Sequence, residues 1–337
     1  MKVLVVGGTG FLGGAVAAEA VAAGHETSIF TRGKSPLERS PSVTTLAGDR
    51  HADLSALHGM CFDLVVDTCA FTPLSVSLLL DALSPDIGKY ALVSSSSVYS
   101  DCSMPDVDED GTAPCATEDQ LAFANAIRPA DRSNAMSYGT AYGPLKRSAE
   151  LVAIERLGGR AFILRSGLLV GAGDYTDRLT YWVRRVDQGG AMVAPGDSTR
   201  RIQFIDVRDA ANFIVAGAEH GLSGVFNLTG SPMTWEKFLR ACQTISNSDS
   251  ELRWIADDDI LTAGVVPWTE LPLWIPARHK PLRHFLEIST ARAFGAGLQT
   301  RAIEETIGDI LTWDRQRRAM PLKAGLPTDK ESALLLQ

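Results

Sequence analysis

The chain has 337 residues, 45% of them hydrophobic and 21% charged, with 32 Lys+Arg against 40 Asp+Glu for a formal charge of −8. This mix excludes collagen-like, coiled-coil and fully disordered chains, and the lack of a basic excess counts against nucleic acid as a partner. At roughly 100–200 residues per domain the length suits two domains, with a core large enough to need no disulfide or metal staple.

In chain order, Val3–Val6 is a short apolar run bounded by glycine, which predicts a buried parallel strand. The opening resembles a signal peptide, but glycines and Glu19 interrupt its apolar stretch, and no other segment approaches the ~18–20 apolar residues of a membrane span. A helix is expected over Phe11–Ala23, stopped by Gly24. Strands follow at Glu26–Thr31, Val43–Ala47, Phe62–Asp67, Tyr90–Ser94 and Arg160–Arg165, with helical spacers between most of them. That alternation predicts βαβ units and a doubly wound parallel sheet over residues 1–170. Residues 171–337 read mainly as a smaller α/β lobe, some of whose elements return to the sheet. There Gly171–Thr199 reads as loop-rich, Val207–Glu219 as helix, Gly224–Leu228 as strand, Pro267–Pro281 as irregular and Ile303–Arg317 as helix.

The first strand runs directly into Gly7-Gly8-Thr9-Gly10-Phe11-Leu12-Gly13, which opens the first helix. In this Rossmann-like setting Gly7 permits a tight turn, Gly10 lets backbone approach a pyrophosphate, and Gly13 permits close packing of helix on sheet. A phosphate would sit on the helix N-terminus, where free N–H groups and the dipole favour anions. The second strand ends Thr31-Arg32-Gly33-Lys34, without the carboxylate that usually holds an NAD ribose. Arg32 and Lys34 can instead pair with a 2′-phosphate, so NADP(H) is favoured over NAD(H).

Tyr142 and Lys146 stand four residues apart, on one face if the segment is helical. A nearby ammonium favours the phenolate of a tyrosine whose ordinary pKa is near ~10. The fifth strand ends in Ser94-Ser95-Ser96-Ser97, at the carboxyl edge where open α/β sheets bind ligands, and a serine there could steady a developing oxyanion.

With these motifs the sequence resembles the short-chain dehydrogenase/reductases, in the extended or atypical branch called NAD-dependent epimerase/dehydratase. The resemblance runs through GGTGFLG at 7–13, GDR at 48–50, SSSSVY at 94–99, YGPLK at 142–146, LRSGLLVGAGD at 164–174, RIQFIDVRDAA at 201–211, GVFNLTG at 224–230 and the segment 289–313. It implies Tyr142 as the catalytic acid/base, Lys146 lowering its pKa and holding the nicotinamide ribose, and Ser95 as the catalytic hydroxyl. It also implies cofactor contacts at Gly7, Thr9, Gly10, Phe11, Leu12, Gly13, Arg32, Lys34, Asp49, Arg50, Ala70 and Ser94. The reaction implied is hydride transfer at a carbonyl/alcohol carbon of a small molecule. A nucleotide-sugar epimerase with retained NAD is the alternative, and a non-catalytic or RNA-binding atypical member is a further one. Ser96 and Ser97 stand where dehydratase relatives carry Asp and Glu, which lowers the dehydratase reading.

Three features depart from the pattern. Pro144 requires the helix to begin near Ala141–Gly143, Ser166 stands where many relatives have proline, and the stretch from Ser95 to Tyr142 is long and acidic. Residues 101–119 hold seven acids and no base, and read as a solvated surface loop or lid. Asp106–Gly111 opens like a calcium loop but Thr117 replaces the closing glutamate. Five scattered cysteines without C-x-x-C, and six histidines without H-E-x-x-H, predict no metal site and a reducing compartment. Arg178 and Tyr181, with Ser96, are the candidate substrate contacts, while Trp268 and Trp274 are expected to pack the lobe. The expected setting is cytoplasmic, without membrane, with a homodimer as the assembly considered.

Overall fold

The computed structural model describes residues 1–33 and 42–336. Its main sheet has seven strands: β1 (Lys2–Val6), β2 (Glu26–Thr31), β3 (Val43–Ala47), β4 (Leu64–Asp67), β5 (Lys89–Ser95), β6 (Ala161–Ser166) and β7 (Gly224–Leu228). They lie in the order β7-β6-β5-β4-β1-β2-β3, every neighbouring pair parallel. The order reverses between β1 and β4, which opens a crevice at their carboxyl ends.

The run Val3-Leu4-Val5-Val6 explains why β1 is central. Its side chains alternate between two apolar layers, and all four are at most 1% exposed. Val3 and Val5 pack with Val16 and Ala20 of α1 (Phe11–Ala22) and with Phe213 and Ile214 of α2 (Val207–Glu219). Leu4 and Val6 face Leu79 of α3 (Pro73–Ala82) and Ala149 and Ala153 of α4 (Tyr142–Leu157). Each such side chain contributes about 1.5–3 kcal/mol by leaving water, so a strand polar on one face could not occupy this place.

The second core belongs to the lobe. Trp182, Trp235 and Trp274 are fully buried there with Ile307 and Ile310. Against expectation the stretch 171–199 is not mainly loop. It holds a helix, α5 (Arg178–Asp187), and a strand, Ala191–Pro195, that pairs in parallel with Glu251–Ile255. Arginines at 178, 184 and 185 mask the helix's apolar stripe of Leu179, Trp182, Val183 and Val186 in the sequence, and Arg184 is carried into the interior by a paired carboxylate, Asp314, at 2.6 Å. Pro267–Pro281 is irregular as expected, and Trp274 packs within it, its indole N–H donating to Asp257.

Candidate active site

At the first turn Gly7 has φ +84°, and a Cβ there would stand 2.5 Å from Thr68 Oγ1. A Cβ on Gly13 would stand 2.3 Å from the Gly7 carbonyl oxygen, so α1 can lie against this turn only with glycine at 13. Gly10, exposed, caps α1 with no side-chain cap and no acid in the first turn, leaving the helix N–H groups open to an anion. Thr9 and Phe11 are half-buried at the rim, whereas the Leu12 side chain is in the core, leaving only its backbone for a ligand. A cradle closed to any Cβ and uncapped toward solvent fits a dinucleotide pyrophosphate.

Arg32 leaves β2 exposed, and its Nη2 donates to Ser133 Oγ at 3.2 Å. Lys34 lies outside the described residues. Asp49 is half-buried and its carboxylate accepts the His51 N–H at 2.9 Å. Arg50 does not face the cofactor groove as a free cation. It is buried, donates to both carboxylate oxygens of Asp67 at 2.6 and 2.9 Å, and donates to the Ser75 carbonyl at 2.9 Å. Tyr90 also donates to Asp67, at 2.8 Å. A guanidinium this deep requires neutralisation. Burial opposes ionisation of Asp67, but Arg50's charge and hydrogen bonds outweigh it and hold the carboxyl below its ordinary range.

α4 begins at Tyr142, and Pro144 sits in its first turn, where no intrahelical N–H is needed. Tyr142, Lys146 and Glu150 therefore share one helical face. Tyr142 lies beside Ser95; burial pushes its phenol up to about 12, against the expected lowering by Lys146, and Ser95 opposes that rise. Ser95 Oγ also accepts the Ser97 N–H at 3.1 Å, which fixes the turn after β5. Lys146 is 2% exposed, and its Nζ donates to the carbonyls of Val93 at 2.6 Å and Ala70 at 2.8 Å. Burial pulls its ammonium down to about 8. Phe71 lies 5.2 Å from that nitrogen and 6.1 Å from the Tyr142 ring. Ser96 is buried in the short turn Ser96–Val98.

Ser94 departs from the expected cofactor role. Its hydroxyl donates to Glu150 Oε1 at 2.5 Å. Glu150 also receives Arg165 through Nε at 3.0 Å and Nη2 at 2.9 Å, and Arg147 at 2.9 Å. Arg165 further donates to Tyr99 Oη and the Glu109 carbonyl. Gly143 is equally consequential, because a Cβ there would lie 1.9 Å from the Ser97 carbonyl oxygen. Neither Glu150 nor Gly143 was flagged in the sequence, although Glu150 repeats the four-residue spacing of Tyr142 and Lys146.

The acidic stretch is only partly a solvated loop. Glu109 is 7% exposed, and its carboxylate accepts the Asn227 N–H at 2.8 Å and pairs with Arg292 at 3.4 Å. The stretch also bonds to residues 281–289 through Cys102, Asp106 and Val107. It ends in a helix, Glu118–Ala126, with a Thr117/Gln120 capping box and Glu118 and Asp119 in the first turn.

Among the substrate candidates, Arg178 opens α5 with its guanidinium 5.4 Å from the Trp268 ring centroid. Among the described residues it has no ion pair within 4 Å, and burial lowers its pKa while Asp174 opposes that. Trp268 is thus half-buried beneath a cation and not only lobe packing. Tyr181 is not at the crevice. It is buried in the lobe core, 4.9 Å from Trp182. Tyr175, 65% exposed, is close enough to Tyr142 to act on its protonation, and its ring lies 5.5 Å from the Lys323 ammonium.

Residues 72–229, which include Ser95, Tyr142 and Lys146 but not the glycine turn, match the model of the NAD dependent epimerase/dehydratase family. Over those residues the chain is similar to that family. The curated relative "Chloroplast stem-loop binding protein of 41 kDa b" of Arabidopsis thaliana is 27% identical over 262 residues, 72% of this chain. The match spans 62% of that relative's length. Among solved structures, a UDP-glucuronic acid 4-epimerase from Bacillus cereus in complex with NAD aligns at TM-score 0.65 and 16% identity over 94% of this chain and 99% of its own. A human epimerase family protein solved with NADPH aligns at TM-score 0.60 and 19% identity over 93% and 99%. These two share the fold of this chain, and they hold different nicotinamide dinucleotides. Among the described residues no helix is long and apolar enough to cross a membrane.

Proposed function

We propose that the protein is a nicotinamide-dependent oxidoreductase acting at a carbonyl/alcohol carbon of a small molecule, with NADP(H) favoured. The observation that carries this reading is the close seating of the start of α4 on the turn after β5, which sets Tyr142 beside Ser95 on the helical face that also bears Lys146. The bound cofactor would give or take a hydride at the substrate carbon. Gly7, Gly10, Gly13 and the first N–H groups of α1 would hold its pyrophosphate. Tyr142, a phenol at neutral pH with a pKa pushed up to about 12, donates a proton to the substrate oxygen. Ser95 steadies that oxygen as charge develops on it. Lys146, one helical turn from Tyr142 and locked by the Val93 and Ala70 carbonyls, would hold the nicotinamide ribose. Arg178, on Trp268, faces the substrate from the lobe.

Tyr142→Phe tests the reading on a panel of carbonyl and sugar-nucleotide substrates. Turnover should vanish while NADPH binding, read by fluorescence, stays within about twofold; unchanged turnover refutes the assignment. A second reading, a nucleotide-sugar epimerase with retained NAD, is favoured by the UDP-sugar epimerase that shares the fold. Purified protein carrying tightly bound NAD+ would support it over the reductase. Stem-loop binding, suggested by the curated relative, predicts salt-sensitive binding of a hairpin RNA with no turnover on the panel.

A further inference from the structure

The segment between the acidic stretch and α4 is not at the substrate mouth alone; it reaches the far, adenosine end of the cofactor groove. Ser133 accepts the Arg32 guanidinium N–H at 3.2 Å, tying this segment to the end of β2 across 101 residues of sequence. Its neighbour Arg132 is half-buried and donates through Nε to the Ile127 carbonyl at 2.9 Å and through Nη2 to the Asn125 carbonyl at 3.0 Å. Tyr138 Oη donates to the Arg132 carbonyl at 2.9 Å, and the Tyr138 ring lies 5.4 Å from Phe71, the residue after Ala70 at the end of β4. Arg132 is close enough to His51, just past the end of β3, to act on its protonation. One strap of residues 127–138 thus reaches the end of β2 and the segments that follow β3 and β4, strands that flank β1 on both sides.

Charge gives the strap its chemistry. Arg128 is neutralised by Asp131 at 2.7 Å, but among the described residues neither Arg32 nor Arg132 has a carboxylate partner. Arg32 bonds the Ser133 hydroxyl and Arg132 is the residue before it, so two arginines with only neutral acceptors meet at one strap, which suits a dianion. At the end of β2 in this fold the group to be recognised is the substituent on the adenosine 2′-oxygen. A guanidinium binds a phosphate ester there by paired charge-assisted hydrogen bonds, and gains nothing comparable from a hydroxyl.

We propose that Arg132 and Ser133 of this strap join Arg32 as the recognition site for the 2′-phosphate of NADP(H). The inference rests on the proposed dinucleotide function and deepens its cofactor choice. The strap bears on the preference because it supplies a cation in addition to Arg32. It also links the phosphate site to the catalytic tyrosine, since Phe71 touches both Tyr138 and Tyr142.

Binding rather than turnover provides the test. NADPH, NADH, 2′,5′-ADP and 5′-AMP are titrated against the full chain by calorimetry, with the dinucleotides repeated by fluorescence. Arg132→Ala should weaken NADPH and 2′,5′-ADP about ten- to a hundredfold, the scale of one charge-assisted bond, and leave NADH and 5′-AMP within about twofold. Arg32→Ala should do the same, Ser133→Ala a smaller amount in the same direction, and Arg128→Ala nothing. Arg132→Lys separates fold from recognition, because it keeps the charge and should restore part of the 2′,5′-ADP affinity. If Arg132→Ala leaves the NADPH/NADH ratio unchanged while Arg32→Ala abolishes it, the strap's role is refuted and the dinucleotide function stands. Equal wild-type affinities for NADPH and NADH also refute the strap's role alone. Failure of the wild type to bind any of the four probes overturns both.

Discussion

Replacing Glu150 with glutamine keeps the side chain's volume but removes the charge that neutralises Arg165, a residue 2% exposed. The wild-type carboxylate receives Ser94, Arg147 and two N–H groups of Arg165, all within 3.0 Å. Glutamine can still accept from Ser94 Oγ, but its amide nitrogen would meet a guanidinium donor and leave a buried cation uncompensated. Breaking one side of such a pair costs about 3–5 kcal/mol. Ser94→Ala removes only one charge-assisted bond and should cost about 1.5–3 kcal/mol. At roughly 2–4 °C per kcal/mol for domains of moderate size, E150Q should lower Tm by roughly 6–20 °C and S94A by less. Thermal unfolding followed by circular dichroism at one scan rate reads both. An E150Q protein within about 2 °C of wild type, or an S94A loss as large as that of E150Q, would refute the assignment of Glu150 as the ion that holds β5, β6 and α4 together.

Other consequences follow from the same geometry. Gly143→Ala sets a Cβ 1.9 Å from the Ser97 carbonyl oxygen, so the start of α4 must move off the serine turn. Turnover should fall at least tenfold while NADPH binding changes less, with about 1–3 kcal/mol of stability lost to overpacking; a fully active variant would show that the contact relaxes without separating Tyr142 from Ser95. Lys146 has a folded pKa of about 8 against an ordinary 10.5, so between those values the unfolded chain binds more protons and stability rises with pH. The cost of burying the ammonium is complete below about pH 8. Urea unfolding of wild type and Lys146→Met at pH 7.5 and pH 10 should show wild type gaining up to about 3 kcal/mol relative to the variant, and a constant difference would contradict the burial argument. Asp67→Asn leaves Arg50 buried and unpaired and should destabilise by about 3–5 kcal/mol without changing the NADPH/NADH preference; an altered preference would return Arg50 to the cofactor site.

Much of the fold was legible because its signals are local. β2, β3, β7 and α2 span the residues read from the sequence, and the first turn shows its glycines because a Cβ at 7 or 13 would collide with neighbours close in sequence or at an adjacent strand end. The Tyr142–Lys146 pair was legible for the same reason, being a spacing within one helix. α5 was obscured by three arginines whose partners are far away; Arg184 finds Asp314 across 130 residues.

Sequence by itself therefore determined the strands of the parallel sheet, the glycine turn and the Tyr142–Lys146 spacing, since each depends on residues within a few positions of one another. Tertiary structure alone decided where the polar side chains went. Arg50 turned to Asp67, Ser94 to Glu150, Glu109 to Asn227 and Arg292, and Arg32 to Ser133. A buried or half-buried polar group is placed by whichever partner can satisfy it, and that partner is brought near by packing and not by sequence distance.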